Sequence, residues 1–410
     1  MTRKAVISGA SIAGPVLAFW LAEAGWHVTV VERADQLRTS GYPVDVRGAA
    51  VDVVTQMGLH EQLVEHRYRH VPVALLSPRG HRLCTLDYGN LLGSSGDGDV
   101  EISRGELSSV LFQASADRVD YVFSESITAL RELDGGVEVT FERRPTEVVD
   151  VVIGADGIHS NVRALAFGPE ERYLRHLGPY VAVWDLPDDA FAPGAGYFSS
   201  HPGRTVLVER PADGAPGRAF ATFVHPAPGT LDRHDRAAVV DAFREAFAED
   251  RWRTAEVIDT MADTNDLYVD TVSQVRIPNW SSGRVALVGD AAYAPAFLSG
   301  QGTSIAIAGA YVLASELAAH ESLRDAFAAY ELRMRDYVTM NQDLALRTDG
   351  TVLVRTGGQL LRRNVKLCAV PWLQRLGLLG LLQGPLRTAA TSLALRDHDL
   401  RRTPETLQHR

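Results

Sequence analysis

The chain has 410 residues, 46% of them apolar and 22% charged, which is the balance of a soluble globular protein with room for two domains. Its formal net charge of -10 gives no electrostatic reason to bind nucleic acid or an anionic membrane surface. Its two cysteines, Cys84 and Cys368, form no C-x-x-C pair, so neither a dithiol redox centre nor a cysteine zinc site is expected.

Reduced thiols in a reducing cytosol are a simpler expectation than a disulfide between such distant cysteines. No charged leader with an apolar run and cleavage site precedes the first strand, so a cytoplasmic protein is expected. The most membrane-like stretch, residues 370 to 386, is interrupted by Arg375, three glycines and Pro385, and falls short of the roughly 20 apolar residues a span needs. It reads as a helix packed on the body or over a pocket.

The first element is "AVISGASIAGPVLAFWLAEAGWHVTVVER", residues 5 to 33. A short, largely apolar run from Ala5 to Ser8 predicts a buried parallel strand, and Gly9 begins a tight turn. A helix follows through about Ala24 and stops at Gly25; a second strand, His27 to Val31, ends at Glu32. Strand, glycine turn, helix, strand and acid make the layout of a dinucleotide site. Helix N-terminal N–H groups face a pyrophosphate, and the acid reaches a ribose hydroxyl. Ser11 stands where the second glycine of G-x-G-x-x-G belongs; it is the smallest replacement that carries a Cβ, and its hydroxyl can donate to a phosphate.

A polar loop follows, then short helices over Ala49 to Met57 and His60 to His66. Short strands and turns are expected over 71 to 102, with a loop at "GNLLGSSGDGD", then a helix over 102 to 115 and strands near 119–123, 126–133 and 137–142. Residues 148 to 167 repeat the pattern of strand, glycine turn and helix, and are expected to rejoin the first sheet. Residues 173 to 225 alternate like an antiparallel sheet; a helix from Arg236 to Ala248 and a strand in "DLYVDTVSQVRI" follow. "GRVALVGDAA" is again a buried strand, and a helix from about Gly302 to His320 leads into largely helical sequence and a charged tail. No internal repeat is visible.

Three segments therefore share one grammar: "GASIAG" (9–14), "GADGIHSNVR" (154–163) and "GDAAYAPAFLSGQGTS" (289–304). In that order and at those separations they resemble the FAD-dependent monooxygenases of the para-hydroxybenzoate hydroxylase type, whose relatives include aromatic polyketide hydroxylases and tetracycline-inactivating monooxygenases. The resemblance covers about residues 4 to 345. It implies an α/β chain with a Rossmann-like FAD-binding domain assembled from 1–70, 100–172 and 276–345. A mainly antiparallel substrate domain would come from 71–99 and 173–275, with a helical C-terminal segment over 346–410.

The resemblance also assigns roles. Gly9, Ser11, Ile12, Ala13 and Gly14 match the phosphate turn, Glu32 the ribose acid, and Arg33 lies beside the adenine. Arg104 matches the arginine that contacts the ribityl–phosphate portion, and Asp290 the aspartate on the ribityl chain. Asp156 and Gly157 belong to an Asp-Gly motif implicated in FAD and NAD(P)H binding. Gly300, Gln301, Gly302 and Thr303 open a helix whose positive end faces the flavin's pyrimidine edge. Arg47 resembles a loop arginine that handles the flavin, and together with His225 it is a candidate for catalysis. The chain departs from the family at Tyr293, where histidine is common, at Pro295, one or two places early, and at Ser304, where asparagine is common. These positions are expected to lie beside the isoalloxazine.

No second dinucleotide fingerprint and no metal-ligand spacing is present, so one dinucleotide site is expected; the resemblance implies that FAD fills it and that NADPH or NADH binds transiently. The resemblance implies transfer of one atom of O2 from a flavin C4a-hydroperoxide to a small aromatic or polyketide-like substrate. Hydroxylation is the expected outcome, with Baeyer–Villiger oxygenation, a flavin reductase or dehydrogenase, and a non-catalytic binding protein as alternatives. "VAVWDLP" is not the W-x-W-x-I-P of flavin halogenases. Phe198, Phe223, His225 and Phe297 are candidate substrate walls, although each also suits core packing. A monomer or homodimer is expected.

Overall fold

The structure is a computed structural model that describes residues 2–37, 41–87, 98–375, 392, 393 and 395. Most of the expected loop at 89–99, the apolar stretch beyond Arg375 and the charged tail lie outside the described residues.

The first buried run forms the strand Lys4–Ser8, which pairs in parallel with His27–Glu32 on one side and with Val151–Gly154 on the other. Val285–Leu287 pairs in parallel with Val151–Gly154, so three distant glycine-ended strands lie side by side in one six-stranded sheet. Such strands are covered on both faces, which explains their continuous apolar character. The helix Ala13–Glu23 packs against the long helix Gly302–Ala319, and Trp20 meets Tyr311 edge-on at 5.1 Å. Gly302–Ala319 is the one helix among the described residues long and apolar enough to cross a membrane, but 78% of it is buried inside the protein. It is the central core helix.

A second, seven-stranded sheet is built mainly from Leu174–Asp185, Gly196–His201, Arg204–Glu209, Arg218–Val224 and Tyr268–Val275 in antiparallel pairs. Pro72–Leu76 joins it in parallel beside Gly196–His201, and Arg82–Asp87 forms its edge. The helix Arg236–Phe247 covers one face, with Phe243 and Phe247 packed around Phe223.

Two features depart from the sequence reading. Pro43–Val46, read as loop, is a strand paired antiparallel with Val100–Ser103. Four residues with a half-buried aspartate among them carry too little periodicity to reveal it. The cysteines form a disulfide, Cys84–Cys368, which corrects the expectation of reduced thiols. The helix Gly357–Arg375 lies along the edge strand that carries Cys84, and Leu367 and Cys368 pack with Leu75, Leu86 and Phe198. A sequence separation of 284 residues concealed this neighbourhood.

Candidate active site

The phosphate turn is held by close approach. Gly9 has φ +107°, and a Cβ there would stand 2.5 Å from the Ala155 carbonyl oxygen. A Cβ on Gly14 would come within 1.9 Å of the Gly9 carbonyl oxygen, so only glycine lets the helix start this near the strand. Ile12 precedes the first helical residue, Ala13, and its carbonyl accepts from the Val16 N–H. The Glu32 carboxylate accepts from the N–H groups of Ala10 and Ala34, each at 2.9 Å, which fixes it beside the turn. Arg33 is exposed next to it.

Ser11 is tied to the helix Arg104–Gln113. Its Oγ accepts from the Arg104 guanidinium at 3.1 Å, and its carbonyl accepts from the Ser108 hydroxyl at 2.9 Å. Arg104 also lies over the Tyr42 ring, 6.0 Å from its centroid. Burial alone would lower the basicity of Arg104; the surrounding Tyr42, Tyr268, Asp290 and Glu32 raise it instead, so it stays cationic.

Asp290 opens a short helical turn, Asp290–Tyr293, after the third glycine-ended strand. Its side chain borders the open cleft although protein surrounds it. Desolvation there raises its carboxyl pKa against the pull of Arg104. Gly300 has φ +64°, and Gln301 precedes Gly302, the first residue of the core helix, followed by Thr303. The Gln301 side chain is wholly buried, with neither carboxamide atom partnered by protein. An orphaned amide at a positive helix end is a polar group waiting for a ligand.

Asp156 accepts from Ser8, Ser160 and the Val162 N–H, so it fastens the first strand to the helix Asn161–Phe167; Gly157 beside it has φ +83°. Arg47 is 5% exposed and pairs with Asp45 at 2.6 Å, while its N–H donates to Ser304 Oγ at 3.0 Å. Ser304 in turn donates to the Asp45 carbonyl at 2.9 Å, binding this strand to the core helix.

A cavity of about 150 Å³ adjoins these groups. Tyr42, Pro43, Val183, Leu207, Phe220 and Phe297 form its apolar wall; Tyr68, His70, Glu101, Glu209 and Arg218 form the polar one. Of the four expected wall residues, Phe297 alone lines it, stacked 6.0 Å from Phe220. Phe198 instead faces Val73, Leu75 and Leu86 with the Arg363 guanidinium over its ring. Phe223 faces the helix Arg236–Phe247 on the sheet's other side. His225 is bonded to Ala227 in a turn outside the cavity, so it has no route to a proton there. Phe223 occupies the opposite face of its strand from Phe220, whereas Phe198 shares the face of Leu207 and Phe220 but lies farther across the sheet, beside the helix Gly357–Arg375. Tyr293 likewise departs from expectation. It is buried against Trp280, its hydroxyl accepts from the Tyr330 hydroxyl at 3.0 Å, and it abuts Gly309, inside the core.

The sequence reading missed Tyr42, His70, Glu101, Glu209 and Arg218, which come from five separate segments with no local signature. It also missed His159, which links Glu170 at 2.8 Å to Asp270 of the second sheet at 3.0 Å, and the fully buried Arg163 beside it.

Three glycine turns at the ends of neighbouring parallel strands, a carboxylate held beside the first of them, an orphaned glutamine at a helix start and a cavity walled by the second sheet fit a flavin-dependent oxidoreductase. The "FAD binding domain" family matches residues 2–339. An uncharacterised protein of Mycobacterium tuberculosis is 38% identical over 344 residues, covering 83% of this chain and 92% of its own. A flavin-dependent monooxygenase of Legionella longbeachae is 33% identical over 355 residues, covering 86% and 90%. The crystal structure of tetracycline destructase Tet(55) superposes with a TM-score of 0.84 at 32% identity, over 97% of this chain and 99% of that one. The chain belongs to the FAD-binding family of flavin-dependent monooxygenases, and it is an enzyme whose cofactor is FAD.

Proposed function

We propose that the protein consumes NADPH or NADH to insert one atom of O2 into a small aromatic or polyketide-like substrate, by hydroxylation. The observation that carries this reading is that the flavin-edge turn and the substrate cavity share Phe297, so a ring held in the cavity lies next to the cofactor cleft. Bound FAD supplies the electron storage and oxygen activation that no side chain provides.

The chain's own residues do the rest. The turn from Gly9 through Ser11, Ile12, Ala13 and Gly14 aims N–H groups at the pyrophosphate, and Glu32 takes a ribose hydroxyl. Arg33 flanks the adenine, while Arg104 and Asp290 face each other across the cleft and hold the ribityl–phosphate portion. Gly300, Gln301, Gly302 and Thr303 offer amides and a helix dipole to negative charge at the flavin edge. Asp156 and Gly157 shape the joint where a nicotinamide donor would approach, and Arg47 braces the flavin-edge strand. The apolar wall around Phe297 and Phe220 orients an aromatic ring and keeps water away.

The test is an absorbance spectrum of the purified protein, before and after NADPH or NADH is added without oxygen. Yellow–blue bands from releasable FAD that bleach with the donor are expected. A substrate screen under isotopically labelled O2 should then give product with one labelled atom. Protein that neither carries nor accepts FAD, or product without the label, would overturn the reading.

A further inference from the structure

Three ionisable side chains in the cavity wall are joined. His70 Nε2 lies 2.8 Å from Glu101 Oε2, off the N–H direction, so this contact is an ion pair rather than an aligned hydrogen bond. Its Nδ1 meets Glu209 Oε1 at 3.2 Å. The three side chains are only 11%, 21% and 9% exposed, respectively, and they come from different strands or loops of the two domains. Burial alone would hold the imidazole neutral; Glu101 and Glu209 outweigh it and push its pKa up to about 10, so at neutral pH it is a cation between two carboxylates.

One imidazolium between two carboxylates leaves one negative charge in excess. The other cations near the wall do not cancel it. Arg218 is engaged by Asp185 and the Gly41 carbonyl, and Arg47 by Asp45, whose carboxyl pKa burial pushes up to about 7 against the pull of Arg47, so that Arg47 is fully matched above neutral pH. Each glutamate uses one oxygen on His70, and its second oxygen has no hydrogen-bond partner among the described residues. The wall therefore has unused acceptor capacity and an uncompensated buried charge, a costly state that a cation relieves and an anion worsens. The aromatic faces of Phe297 and Phe220 take the flat body of the same ligand.

We propose that Glu101 and Glu209 determine specificity: the cavity accepts an aromatic ring bearing a protonated amine and rejects the same ring bearing a carboxylate. This rests on the reading of the cavity as the substrate site.

The test uses a matched pair, a hydroxynaphthalene with an aminomethyl group and the same ring with a carboxylate. Binding of each to the purified full chain is measured by titration calorimetry at about pH 8, above the Asp45 pKa and below that of His70. Wild-type protein should bind the amine at least about tenfold more tightly, the size of effect expected when a buried charge gains or lacks a partner. Glu101→Gln and Glu209→Gln should each cut that preference several-fold, and the double variant should erase it while carboxylate binding holds or improves. Equal binding by wild type, a preference for the carboxylate, no saturable amine binding, or a preference that survives in the double variant would each overturn the proposal. The wild-type comparison stands even where a variant does not fold. Flavin content of the same preparations separates the two readings. Flavin-loaded protein with no amine preference sinks this proposal alone, whereas protein that never takes FAD sinks the enzymatic reading.

Discussion

Arg104 donates a hydrogen bond to Ser11 Oγ at 3.1 Å, joining the helix Arg104–Gln113 to the phosphate turn. The serine that breaks the glycine fingerprint is thus an acceptor that fixes the Arg104 guanidinium beside the turn. Ser11→Ala should weaken FAD binding by about three- to tenfold, through a misplaced Arg104, and Arg104→Ala by about tenfold or more, the scale of hydrogen bonds to charged groups. Flavin fluorescence titration reads both; unchanged affinity in Arg104→Ala would contradict the assignment.

Tyr293→His, which installs the residue common in the family, should destabilise the fold by about 1–3 kcal/mol, because the Tyr330 partnership and the fit against Gly309 are lost. The flavin absorbance bands should not move. A shifted spectrum with unchanged denaturation midpoint would show that Tyr293 acts on the cofactor after all.

The His159 bridge predicts a pH dependence. Burial lowers the basicity of His159, but Asp270 and Glu170 outweigh it and raise its pKa. Stability from a raised histidine is complete below its unfolded value of about 6.5 and is lost as pH rises through the folded one. Glu170 behaves oppositely: burial raises its pKa, yet His159 and Arg163 hold it below the usual range, so its contribution is lost as pH falls through that depressed value. His159→Ala should flatten the alkaline side of a stability-versus-pH curve measured by urea unfolding. An unchanged alkaline slope would exclude this bridge as its source.

Much of the nucleotide domain was legible because its signals are local. The glycines of the turn, Glu32 at a strand end and the strand before each glycine segment follow a short linear pattern, and their apolar runs announce parallel strands. The cavity was not legible for the converse reason. His70, Glu101 and Glu209 become neighbours only in the folded chain, and whether Phe223 or Phe220 faces the cavity depends on strand register, which a one-residue shift inverts. Cys84 and Cys368 meet because a C-terminal helix docks on an edge strand, a tertiary event without sequence spacing.

Reduction of that disulfide by a dithiol, or Cys84→Ser, should cost about 2–5 kcal/mol of stability, as is usual when a native cross-link is removed. Limited proteolysis should then cut within Gly357–Arg375 before the rest of the fold. Equal protection of that helix in oxidised and reduced protein would show that Arg363, Leu367 and their neighbours suffice to hold it.

The sheet order also has a consequence for how the protein is made. Lys4–Ser8 needs Val151–Gly154 beside it, and that strand needs Val285–Leu287. A ribosome that has released only the first half of the chain has therefore exposed an open, apolar strand edge, the kind of surface that invites aggregation. The cofactor cleft does not exist until Thr303 and the core helix have emerged. With the proposed site, flavin loading is then a late event in biosynthesis, and an N-terminal fragment ending before that helix is expected not to hold FAD.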